Sequence, residues 1–383
     1  MRNMTHGLVL ESGIFAAALE AVPADDWSRT WAANRTIMLR MTSKKIKEII
    51  DKMRIHVVVC LNMNFWSDSI ESLFSRVSEE DCTTSPLTVS RVSDNEKLEF
   101  VIRHLGLLAV ICKITSLELP CSNMNIQLER LKEILDQCKS LTNLNLYNNM
   151  LGTTGVISLI GVLGQCSVLN LAHNNINTEG ATYIIDVLTQ CTNLNLCNNN
   201  IGTTGLETIE KCKTLTRLTY LNLCYNQINT VNIDRILSQN TALTDLDLSQ
   251  NHINTVSIGT MPQYFALTYF NLSYNHIDAE GATSLVRVIR QCQSLTDLNL
   301  SYNYIGSEGA TSLAGSLGQC TALSKLYLAS NFIGNDGIER IIEVLSYSNN
   351  LALTYLTLCG NGINEDRANN FTEMLGNRVK LLY

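Results

Sequence analysis

Proline is scarce, four in 383 residues, and aromatic side chains make up only 6%. Few prolines mean few enforced breaks, so the chain can pass through many successive strands and helices. Charge is sparse too, at 16% of residues, against 45% apolar, which excludes an intrinsically disordered chain. Long apolar runs are missing. The longest uncharged apolar stretch, Leu105–Cys112, falls far short of the roughly 18–20 residues that cross a bilayer, so no membrane span is expected. Near the start, the apolar stretch Ile14–Leu19 is short and bracketed by Glu11 and Glu20, so no cleavable secretion signal is expected. None of the 13 cysteines falls in a Cys-x-x-Cys pair. A phosphate-cradling glycine loop, a Ser–His–Asp elbow and a zinc signature are all absent. The expectation is a protein without catalytic activity, cofactor or metal.

Basic residues are also in deficit. Residues 113–383 hold 15 basic and 21 acidic side chains, so most of the net charge of −7 lies there. Such a surface repels phosphate backbones, and a protein with a basic contact surface is the expected partner rather than nucleic acid.

What the chain has in abundance is a repeat. From residue 113 onward the pattern Leu-x-Leu-x-x-Asn-x-Ile recurs, with its Asn at 149, 174, 199, 226, 251, 275, 303, 331 and 361. The apolar residue two places later runs from Leu151 and Ile176 to Ile333 and Ile363. A degenerate first copy, Leu117–Ser122, places Ser122 in the Asn column. Alternation around the two Leu predicts a short strand with one buried face, and copies side by side predict a parallel sheet. The buried Asn amide can satisfy backbone groups where the chain turns off the strand. Gly155–Leu163, Gly281–Ile289 and Gly309–Leu317 carry helical spacing and predict helical return segments. Helices need more lateral room than strands, so the stack should curve with its strands inside. Met261-Pro262 predicts an irregular return in one copy.

The aligned copies, of which 295–322 is the fullest, resemble the ribonuclease-inhibitor type of leucine-rich repeat. The resemblance implies an α/β fold, a curved solenoid with a concave parallel sheet and convex helices, and says little of function; the expected protein-binding role comes from the residues of the concave face and the lack of catalytic motifs. It spans 113–383 in about ten copies, with a terminal cap from about 364. Irregular repeat lengths, many cysteines and no secretion signal also resemble host-directed effectors of intracellular bacteria. That likeness implies a cytoplasmic location, in the host cytosol after secretion by a bacterium, and sequestration or inhibition of a host or co-delivered protein.

Alternation also places the binding candidates. Tyr147, Tyr220, Asp245, Asp247, Tyr269, Asp297, Lys325, Tyr327 and Tyr355 are expected on the concave face, with Tyr225, Tyr274 and Tyr302 at its loop rim. Tyrosines bury much area at little rotamer entropy, which suits interface anchors. They can equally stack to stabilise a sheet. Asp245, Asp247 and Asp297 form an expected acidic patch that would steer Lys or Arg of a partner. His252 and His276 follow the Asn in adjacent copies and are read as exposed loop histidines. Six cysteines, at 138, 166, 191, 212, 292 and 320, each follow Gln or Lys, which predicts a small buried residue with a free, reduced thiol.

Residues 1–112 show no repeat and are expected to form a mainly helical cap covering the open end of the stack. Ile46, Ile49, Ile50 and Met53 mark an amphipathic helix there, and Val57–Leu61 a strand or buried segment. Within 22–51, Val22-Pro23 and Leu39–Lys44 weakly resemble an F-box. That resemblance implies an alternative function: docking a Skp-type adaptor and recruiting a substrate to a host cullin-type ubiquitin ligase.

Overall fold

The structure, a computed structural model, describes residues 59–62, 87–90, 115–119, 128–213, 215–257, 266–347, 352–363, 365–376 and 379–383. The chain divides into two compact units, 1–150 and 151–383.

In the first unit, strands β1 (Val59–Asn62), β2 (Leu87–Ser90), β3 (Ser116–Glu118) and β4 (Asn143–Asn145) pair in parallel in chain order. The parallel ladder therefore starts before residue 113, within the stretch whose sequence shows no repeat. Helix α1 (Leu128–Leu135) buries Leu131, Ile134 and Leu135. The F-box-like residues and the amphipathic helix around Ile46 lie outside the described residues.

The second unit repeats one plan. A strand of three residues buries its central side chain, because successive side chains point to opposite faces; β11 and β14 also bury Asn271 and Thr357. The strands are β5 (Val168–Asn170), β6 (Asn193–Asn195), β7 (Tyr220–Asn222), β9 (Asp245–Asp247), β11 (Tyr269–Asn271), β12 (Asp297–Asn299), β13 (Lys325–Tyr327), β14 (Tyr355–Thr357) and β15 (Lys380–Leu382), all parallel. Their central residues, Leu169 to Leu356, join the next Leu of each copy and the Ile after each Asn in one continuous apolar interior. Burying each such side chain contributes about 1.5–3 kcal/mol.

The Asn column holds neighbouring copies together. Asn199 donates its amide to the Leu171 and Leu196 carbonyls at 2.9 and 3.0 Å. Its Oδ1 accepts from the backbone N–H of Asn174 and Ile176 at 2.9 and 3.2 Å. Asn226, Asn251 and Asn361 do the same, whereas Asn275 and Asn303 each accept one backbone N–H and the buried Asn331 Oδ1 accepts none.

Return segments are helical in most copies: α2 (Gly152–Ser158) and α3 (Ile160–Leu163), α4 (Asn177–Ile185), α5 (Gly202–Lys211), α7 (Ala279–Gln291), α8 (Gly306–Leu317) and α9 (Gly334–Tyr347). Glycine lets a return helix sit close to the preceding copy: a Cβ on Gly281 would collide with the Asn254 carbonyl oxygen. Two copies differ. After Asn226 and Asn251 the chain forms short strands, β8 (Thr230–Asn232) and β10 (Thr255–Ser257), which pair in parallel. Helix α6 (Ile233–Gln239) follows β8, its first turn capped by the Asn232 side chain. Periodicity did not show this second sheet, because its strands occur in only two adjacent copies and no repeating column marks them. Met261-Pro262 lies outside the described residues. Beyond 364 the chain forms α10 (Glu365–Leu375) and then β15.

The six repeated cysteines are buried thiols outside any disulfide, at the corners where helices return to strands. Burial pushes the thiols of Cys166, Cys191 and Cys292 up to about 12, and those of Cys138 and Cys320 to about 11. These values exceed that of an unfolded thiol, about 8.5. Their stabilising contribution is thus complete below that pH and is lost as pH rises towards 12. Maleimide at neutral pH is expected to label exposed Cys359 within minutes, while the six react only on unfolding, as peptide mass mapping would show. One pair departs from the expected pattern of free thiols. Cys197 and Cys224, one repeat apart and each two residues after a strand, form a disulfide.

Candidate functional site

Parallel pairing without offset lines up the strand residues that face away from the core. One row runs Tyr220, Asp245, Tyr269, Asp297, Lys325, Tyr355 and Lys380. A second row, on the other side of the buried residue, runs Asn222, Asp247, Asn271, Asn299 and Tyr327. Adjacent members stand about 4.8 Å apart, the spacing of paired strands. Seven of the expected residues on this face thus share one row or its neighbour in the middle of the second unit, and Tyr355 extends it. Tyr147 follows β4 in the first unit, its backbone N–H donating to the Asn145 side chain at 3.0 Å.

The acidic patch has internal structure. Lys325 Nζ donates to Asp297 Oδ1 at 2.8 Å, and Asp297 is only 19% exposed, so this carboxylate is already neutralised. The Lys325 ammonium is raised by the same hydrogen bond and charge. Asp245 accepts from the Thr244 hydroxyl at 2.6 Å, and Asp247 from the Ser249 hydroxyl and N–H at 2.6 and 2.9 Å. Among the described residues no cation pairs with Asp245 or Asp247. The row is therefore acidic at β9 and basic from β13 onward, where Lys380 lies over the Tyr355 ring at 5.8 Å. Burial, and then the Asp247 charge, pushes the half-buried Tyr269 hydroxyl up to about 12, so it stays a neutral donor at physiological pH. Tyr327 and Tyr355 meet at 5.3 Å with tilted rings.

The loop rim carries more than the three expected tyrosines. Tyr225, Tyr274 and Tyr302 are exposed on residues with left-handed backbone, at φ of 59°, 55° and 59°. Tyr274 and Tyr302 stack at 4.1 Å. Two residues further along each copy runs a second column: His252, His276, Tyr304 and Phe332, with ring centres 5.3 to 5.8 Å apart. The histidines are exposed, as expected of loop residues, but they stack rather than stand alone. Between the columns lies an open groove of about 510 Å³. Tyr304 and Phe332 are not among the expected binding residues: Tyr304 is legible in the column of His252 and His276, between the fixed Asn and Ile, but only as a neighbour that does not complete a metal site. Comparing that place across copies is the signal that would have found them.

Among the described residues no three of His, Cys, Asp and Glu are grouped to hold a metal ion, and no helix is long and apolar enough to cross a membrane.

Known proteins fit this architecture at the level of the repeat. A family model described as "Leucine rich repeat" matches residues 216–277, and a second, "Leucine Rich repeat", matches 167–184 and 291–314. No curated protein matches the chain. Among solved structures, an internalin (inlF) from Listeria monocytogenes str. 4b F2365 aligns at 17% identity over 88% of this chain and 88% of its own, with a TM-score of 0.47. The crystal structure of a TLR13–ssRNA13 complex aligns at 16% identity over 81% of this chain and 52% of its own, also with a TM-score of 0.47. With an apolar strand column, a buried Asn ladder and helical returns in aligned copies, the chain is a leucine-rich-repeat protein.

Proposed function

We propose that this protein is a non-catalytic binding module that holds a protein partner against the strand face of its repeats. One observation carries the reading: Tyr220, Asp245, Tyr269, Asp297 and Lys325 stand in a single row on five adjacent strands, with Asp247 beside them. Tyrosine rings supply apolar area with a polar tip. Asp245 and Asp247 lack a cation within the described residues, so a Lys or Arg of the partner completes them. The partner we favour therefore presents basic side chains to β9, and its binding weakens with salt. The irregular copies and frequent cysteines support placing the module among host-directed bacterial effectors, where covering a partner's surface would sequester or inhibit it.

The test is affinity capture on the intact protein beside the triple variant Asp245→Asn, Asp247→Asn, Tyr269→Ala. Central anchors of an interface are worth about 2 kcal/mol or more each, so the variant should weaken the captured partner by well over 100-fold. Its circular dichroism and melting temperature should match the parent. Equal retention by a folded variant would remove the strand face from the binding surface.

A further inference from the structure

Cys197 and Cys224 each stand directly after the second Leu of their copy, and both are half-buried. In other copies of the second unit that place holds Ala172, Ser249, Ser273, Ser301 and Ala329, so it takes a small side chain. Two successive cysteines there meet, because β6 and β7 pair without offset. Their Cα atoms stand 4.7 Å apart, inside the span of roughly 4.4–6.8 Å that a disulfide bridges.

The backbone holds this geometry by bonds that involve neither sulfur. The Cys197 and Cys224 N–H groups donate to the Asn195 and Asn222 side chains at 3.0 and 2.9 Å. Their carbonyls accept from the Asn199 and Asn226 amides at 3.2 and 3.1 Å. Between the copies, the Leu196 N–H donates to the Asn222 carbonyl at 2.9 Å, and the Asn198 N–H to the Cys224 carbonyl at 2.8 Å. Both cysteines therefore stay at bonding distance whether their sulfurs are joined or apart.

Other cysteines of adjacent copies lie near each other without bonding, as Cys166 does to Cys191 and Cys292 to Cys320. These thiols are sealed in the interior and un-ionised at neutral pH. Those of Cys166, Cys191 and Cys320 donate to backbone carbonyls at 3.3 to 3.4 Å, which only the protonated form does. Thiolates are the species that exchange with disulfides, so the interior cysteines stay inert, whereas a small thiol reaches the half-buried pair. Exposed Cys359 shares the column of the pair, but its counterpart in the preceding copy is Ala329, so that neighbour offers no sulfur to close on. A bridge that solvent thiols reach, on a joint that stays built without it, is a reversible one.

We infer that Cys197 and Cys224 form a redox latch between two copies, closed by exchange with a small-molecule disulfide such as oxidised glutathione and opened by the corresponding thiol. One thiolate of the pair attacks the glutathione disulfide, which forms a mixed disulfide and releases one glutathione. The second thiolate attacks the protein sulfur of that mixed disulfide, which closes the bridge and releases the other glutathione. The pair gives up two electrons and two protons, and both leave on the two glutathione thiols. Closure ties β6 to β7 at the start of the tyrosine row: Cys224 N–H holds Asn222 Oδ1, whose amide donates to the Tyr220 hydroxyl at 3.2 Å. The joined copies open only together, which suppresses local unfolding there. The latch stands whether or not a partner binds that row.

The intact protein, equilibrated in glutathione buffers of varied redox ratio and then alkylated, reveals the state of each cysteine by peptide mass mapping. Excess oxidised glutathione should close Cys197–Cys224, leave Cys359 as a mixed disulfide and leave the six interior cysteines as thiols. Excess reduced glutathione should reopen the bridge with circular dichroism unchanged. Amide exchange at Leu196 and Asn198 should be about tenfold slower in the closed form. Cys197→Ser with Cys224→Ser, serine being native to the column at Ser249, Ser273 and Ser301, should match the open form in both buffers. A bridge that never closes, or that excess thiol fails to reopen in the folded protein, overturns the inference. So does loss of the native dichroism on reduction, or equal amide exchange in the two states.

Discussion

Replacing Asn226 with alanine should lower the unfolding free energy by about 4 kcal/mol, since each buried polar group left unpaired costs roughly 1–3 kcal/mol. The Asn226 side chain is fully buried. Its amide donates to the Leu196 and Leu223 carbonyls at 2.9 and 3.1 Å. Its Oδ1 accepts from the N–H of Asn199 and Ile201 at 3.0 and 3.2 Å. Alanine removes these four bonds and a fifth, to the Cys224 carbonyl at 3.1 Å, and the effect reaches the preceding copy. Aspartate should be no better, because it keeps the acceptors but sets a carboxylate against two carbonyls. Thr208→Ala, which removes only a solvent-exposed hydrogen bond from a half-buried residue of α5, should stay within about 0.5 kcal/mol of the parent. Urea unfolding followed by circular dichroism measures all three. A cost below about 1 kcal/mol for Asn226→Ala would mean the Asn ladder does not hold the copies.

Phe270→Ala should cost about 3–5 kcal/mol, the range for deleting a large buried ring. Phe270 is fully buried on β11, in register with Leu246 of β9 and Leu298 of β12. Every other central residue of the long sheet from β5 to β14 is leucine, so Phe270→Leu restores the column and should cost less than about 1.5 kcal/mol. The ratio of the two values, from the same urea titration, is the informative quantity. Equal losses would mean that the site needs the aromatic ring itself rather than apolar volume.

The repeat was legible because each column has one physical job. Leu fills the interior, Asn satisfies the turn, and both recur at a spacing that chance does not produce. The outward rows followed from alternation alone, so Tyr220, Asp245, Tyr269 and Asp297 were placed on one face before any coordinates. What stayed hidden depends on lateral distance between copies. That Lys325 neutralises Asp297 needs the register of β12 against β13. The Cys197–Cys224 disulfide needs two cysteines of the same column in adjacent copies, a coincidence visible only once the copies are stacked. The groove needs both rim columns at once, whereas a linear reading meets Tyr302 and Tyr304 as unrelated residues. The pairing of β8 with β10 replaces an expected helix start and has no periodic signature.

The Asn column gives the chain a recurring joint between copies, complete at Asn199, Asn226, Asn251 and Asn361. Asn199 serves backbone groups of the copy before it, and Asn226 serves those around Asn199 in turn. Any copy ending in this joint can follow any other. Excision of one whole copy should therefore reseal into a shorter solenoid, whereas a cut of half that length strands two mismatched edges. Descent with change in such a protein can proceed by duplicating or losing entire copies, carrying a row of the binding face with each one.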